Sequence, residues 1–79
     1  MHARSQRPDV RNPLSSLPEF QALRALPLES RQQLSVALVA LSRNANARAE
    51  ASWRKSKAPM ATYWKAVSVY ARHAARLLK

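Results

Sequence analysis

The sequence has no glycine and fifteen alanines in its 79 residues. That pairing constrains the fold more than any motif does. Alanine is the best helix former. Strands favour β-branched and aromatic residues, and runs of β-branched residues are nearly absent here. Glycine is also the usual left-handed stop at a helix end, so the ends must be made by other means. Prolines at 18, 27 and 59 mark where segments begin or end. The pattern predicts an all-α protein. A short N-terminal helix precedes two longer helices in an antiparallel hairpin-like arrangement, with oligomerisation expected to complete it.

Residues 1–16 carry Pro8, Pro13 and three arginines, without periodic apolar positions. They read as a basic disordered arm, and 17–79 as a single helical domain. The first helix is expected from Pro18 to Leu26. Pro18 suits a first-turn position, Glu19 suits the positive helix end, and Ser16 is a candidate cap. Phe20 and Leu23, with Leu26 or Leu17, form its apolar side.

Pro27 separates that segment from a long helix over Leu28 to Lys55. Leu34, Ala37, Leu38, Leu41, Ala45, Ala49 and Trp53 recur at spacings of three and four, which puts them near one face. Val36, Val39 and Ala40 widen that face. A single intramolecular partner does not cover so wide a band, so Leu34, Leu38, Leu41 and Trp53 are candidate protein-interface residues. The third helix is expected from Pro59 to Leu78. Its stripe is Met60, Tyr63 or Trp64, Val67, Tyr70 or Ala71, Ala74, and Leu77 or Leu78. Lys65, Arg72, Arg76 and Lys79 fall largely on the opposite side. Pro59 admits two readings: a corner between two helices, or a kink in one long helix. The second would need another chain to cover its apolar faces.

Fourteen Lys and Arg face four acids, a formal charge of +10. Such an excess costs self-repulsion and favours polyanionic partners. Nine of the cations and one acid lie between Arg43 and Lys79. Arg43, Arg48, Arg54, Lys55, Lys57, Lys65, Arg72 and Arg76 are therefore candidate nucleic-acid contacts. Arginine can grip phosphate or guanine with two hydrogen bonds, whereas lysine positions the backbone without reading sequence. Part of the pattern has a simpler cause. Arg72, Arg76 and Lys79 sit where a helix C-terminus favours cations, and Glu19 and Glu29 sit near helix starts. The excess beyond that is unexplained by stability.

Enzymatic chemistry finds little support. His2, His73 and four scattered acids make no acid–base couple, and no metal or cofactor set is evident. Without cysteine there is no disulfide, which fits a cytoplasmic setting. The N-terminal segment lacks the apolar stretch of a signal peptide. The longest strongly apolar run, Val36 to Leu41, is far shorter than the about 20 residues of a membrane span. The expectation is a non-catalytic nucleic-acid-binding accessory or regulatory protein, DNA ahead of RNA, and a homodimer or bound to a protein partner. The alternative is a helical inhibitor or adaptor docking through the Leu34–Leu41 face. Trp53 is open between sealing the corner and facing a partner.

Overall fold

A computed structural model describes residues 12–79. The expected basic arm up to residue 11 lies outside the described residues. A 3-10 turn over Pro13–Ser16 leads into three helices: α1 (Pro18–Leu23), α2 (Leu28–Arg54) and α3 (Ala58–Leu77). The described residues contain no strand. The two long helices pack against each other as a hairpin, and the 3-10 turn and α1 lie against α3. Pro59 thus belongs to the first turn of a new helix, where its missing N–H costs nothing.

The hairpin corner solves the missing-glycine problem with a serine. Ser56 has φ 57°, the one positive φ among the described residues. Its N–H bonds the Trp53 carbonyl at 3.0 Å, and the Lys57 N–H bonds the Ser52 carbonyl at 2.9 Å. This pair of bonds is the Schellman termination, usually built on glycine because a Cβ disfavours the left-handed region. Replacing Ser56 by glycine should therefore stabilise the domain by about 0.5–1 kcal/mol, after the entropy cost of glycine in the unfolded chain. A melting temperature raised by about 2–8 °C would register it, and no rise would mean that the corner carries no strain.

The seam between α2 and α3 is made of small residues. Ser42, Ala45 and Ala49 are buried on α2, and Ala61, Ser68, Ala71 and Ala75 on α3. On α2 the inward positions run 35, 38, 42, 45 and 49; on α3 they run 61, 64, 68, 71, 75 and 78. Both follow the alternating three-and-four spacing of a heptad. One heptad position is always small: Ser35, Ser42 and Ala49 on α2, and Ala61, Ser68 and Ala75 on α3. Small side chains let two backbones approach closely, and hydroxyls then reach the facing helix. Ser42 Oγ donates to the Ser68 carbonyl at 2.9 Å and lies 3.2 Å from Ser68 Oγ. Ser35 Oγ donates to the Ala75 carbonyl at 3.4 Å. The same antiparallel register, carried seven residues on, brings Ala49 level with Ala61.

The seam keeps Ala45, Ala49, Ala71, Ala74 and Leu78 of the expected stripes inside and turns other members outward. Leu34, Ala37, Leu41 and Trp53 are exposed, while Leu38 is half-buried. On α3, Met60, Tyr63 and Tyr70 are exposed, whereas Trp64 and Val67 are half-buried. The physical cause is that serine is polar by hydropathy yet small enough to sit where two helices touch. A seam that needs close approach selects for size before hydropathy, so the true inward face is rotated by about one residue toward Ser35 and Ser42.

The ends are tied by polar side chains. Ser16 does not cap α1. It lies inside the 3-10 turn, donating to the Pro13 carbonyl, and Leu17 at the α1 N-cap makes no side-chain bond. Asn12 holds the turn instead: its Oδ1 accepts from the Leu14 N–H, and its Nδ2 donates to the His73 carbonyl on α3. Gln21 Nε2 donates to the Ser15 carbonyl. Arg31 bridges elements, with Nε on the Leu26 carbonyl at 3.1 Å and a terminal nitrogen 3.5 Å from the Leu78 carbonyl. It thus satisfies one acceptor in the connection before α2 and one left over where α3 ends.

Candidate nucleic-acid interface

Every cation from Arg43 to Lys79 is exposed. Among the described residues, the hydrogen bonds that these cations make go to neutral acceptors: Arg48 Nε to Asn44 Oδ1 and Lys65 Nζ to Asn46 Oδ1, each at 2.9 Å. Among the described residues no anionic partner holds their charge.

The rotated seam sorts the cations onto two flanks. Lys65 lies one position after the inward Trp64, and its bond to Asn46 crosses between the helices. Arg72 and Lys79 repeat that position at intervals of seven, a rise of about 10.5 Å each. Arg76 lies one turn beyond Arg72. Lys65, Arg72 and Lys79 thus lie along α3 beside the seam rather than opposite it as the sequence pattern suggested, and Arg76, next to them in the same basic row, stands further toward the outer face. The other flank carries Arg48, whose guanidinium stands 4.9 Å from the centroid of Trp64. That distance is within cation–π reach. Leu34 and Leu41 precede Arg48 by intervals of seven and share its flank.

The corner holds Arg54, Lys55 and Lys57, all exposed. α2 ends at Arg54 and Lys57 is the N-cap of α3. Arg43 and Arg54 lie on α2 and Lys57 lies past the corner, so the three do not share one helix. Arg43 stands on the outer part of α2, exposed.

No family model, curated protein or solved structure matches this chain. The site must be read from its own geometry.

Beside the basic row, residues of α2 and α3 line an open cleft of about 690 Å³, with Pro13 of the 3-10 turn also in its lining. Ala49, Ala61 and Val69 line its floor and walls, with Trp53 and Tyr70 among the lining residues. Asn46, Glu50, Thr62 and Lys65 supply polar groups around it. Trp53 is 67 % exposed and Tyr70 52 % exposed. The ring of Tyr70 meets that of His73 edge-on at 6.1 Å. His73 keeps Nδ1 buried without a hydrogen-bond partner among the described residues. The sequence put Trp53 and Lys65 on separate elements with no visible relation. Only the register of the small-residue seam brings them to one cleft, and Asn46 and Glu50 join them for the same reason.

Among the described residues no group of three or more His, Asp or Glu stands together as a metal-holding cluster. No described helix is long and apolar enough to cross a membrane.

Proposed function

We propose that this helical hairpin binds nucleic acid through its basic α3 flank and corner, as a non-catalytic accessory or regulatory protein. One observation supports the reading most directly: the nine cations from Arg43 to Lys79 are solvent-facing, and the hydrogen-bond partners they have among the described residues are neutral. A protein shaped only for stability would intersperse acids among them. Neutralised phosphates release counterions, so affinity should fall steeply with salt. Titration of labelled DNA and RNA oligonucleotides at about 50 and 200 mM salt tests this. Five or six phosphate contacts predict a loss of roughly three orders of magnitude in affinity across that interval. Absence of binding at the lower salt would overturn the reading.

A second reading rests on Leu34 and Leu41, which are 40 % and 43 % exposed on the Arg48 flank. Exposed leucines in a row suit a protein contact, either a second copy of the chain or a different partner. Changing both to glutamine removes few contacts of the hairpin itself. If the wild-type chain sediments as a dimer and the variant as a folded monomer, this face makes the dimer. An unchanged mass in both would exclude self-association here.

A further inference from the structure

We propose that the cleft beside the basic row receives an unpaired nucleobase, so that the preferred partner is single-stranded rather than duplex nucleic acid. The proposal rests on the nucleic-acid reading and narrows it. Its starting point is the mismatch between the aromatics and the core. Trp53 and Tyr70 lie at the cleft yet stay more than half exposed, so little of their surface is used in holding the hairpin together. A base offers a flat face to either ring, and stacking of this kind tolerates any sequence.

The surroundings fit that occupant better than they fit a purely apolar one. Lys65 stands at the cleft and also begins the row that continues through Arg72 to Lys79, so a strand with its base in the cleft has cations for the neighbouring phosphates. The Glu50 carboxylate at the cleft would repel a free anion. It can instead accept from a base N–H, the ring N3–H of thymine or the exocyclic amine of cytosine or adenine, while the Asn46 amide offers both donor and acceptor. The volume falls within the range of small-molecule pockets, about 300–1,000 Å³, which leaves room for a base with its sugar. In a duplex the bases are stacked and paired, and extruding one carries an unstacking cost that a single strand avoids.

The test compares three labelled probes of equal length at low salt: a twelve-nucleotide oligothymidylate, an abasic strand with the same phosphates, and a twelve-base-pair duplex. The wild-type protein should bind oligothymidylate more tightly than the abasic strand by about 5- to 150-fold for each base stacked. Trp53→Ala should abolish that preference and leave affinity for the abasic strand and the duplex unchanged. Because Trp53 is mostly exposed, the variant should keep its helical circular dichroism and melting temperature. Equal affinity of wild type for oligothymidylate and the abasic strand would overturn the cleft proposal alone, as would a preference that survives Trp53→Ala. A duplex affinity that falls as far as the oligothymidylate affinity would also overturn it. Failure to bind any of the three probes would overturn the nucleic-acid reading together with it.

Discussion

Replacing Ala45 by leucine should cost the domain about 3 kcal/mol or more and largely unfold it. Ala45 is fully buried at the middle of the seam, one turn from the hydroxyl contact between Ser42 and Ser68. Three added carbon atoms must be fitted between two backbones that the small-residue seam holds close. Overpacking a core typically costs 1–3 kcal/mol, occasionally more. Here the strain is joined by loss of the bonds from Ser42 and Ser35, worth about 0.5–1.5 kcal/mol each, since both need the same close approach. A domain of this size has only about 3–10 kcal/mol in total. The control is Ala47→Leu, at an exposed position on the same helix, where leucine and alanine differ little in helix propensity. Thermal melts followed by circular dichroism should show Ala47→Leu near wild type and Ala45→Leu with a weak, early or absent transition. Equal melting of the two variants would mean that the seam is not close-packed.

The same seam explains what the sequence made legible. The all-helical class and the order of elements followed from alanine content and from prolines at 18, 27 and 59, each of which acts locally. Helix-end charges were legible for the same reason: Glu19, Glu29 and Arg76 all fall in first or last turns. The inward faces were less legible. Leu34 and Leu41 look more apolar than Ser35 and Ser42, and a hydropathy pattern ranks them first. The heptad of small residues at 35, 42 and 49 and at 61, 68 and 75 was present in the sequence, but it becomes a packing signal only when the two helices are paired. The corner was hidden more deeply, because nothing in the sequence distinguishes Ser56 from the other serines as the residue that takes positive φ. Candidate-site cations were identifiable as a group by count. Their division into an α3 row, a corner cluster and an Arg48–Trp64 contact depends on the register, and so does the meeting of Trp53 with Lys65.

That division makes an unequal prediction for charge removal. Changing Lys65, Arg72, Arg76 and Lys79 together to glutamine should reduce the salt slope of nucleic-acid binding by about 3, taking roughly 0.7 per phosphate contact for a single strand. Changing Arg54, Lys55 and Lys57 should reduce it by less, about 1 or 2 on the same scale. The asymmetry has two causes. The α3 row continues from the cleft at regular intervals, and Lys65 is already held in place by Asn46, so less side-chain freedom is lost on contact. The corner cations have no such partner among the described residues and lie past the opposite end of the cleft from Arg72. Arg76 and Lys79 also lie near the C-terminus of α3, where each cation stabilises the helix by about 0.3–1 kcal/mol. The melting temperature of the row variant must therefore be measured beside its binding. Arg24, exposed in the turn after α1, serves as the control, since neutralising it should leave the slope unchanged. A row variant that remains folded and retains the wild-type slope would remove α3 from the interface, and a larger loss from the corner variant would move the centre of binding there.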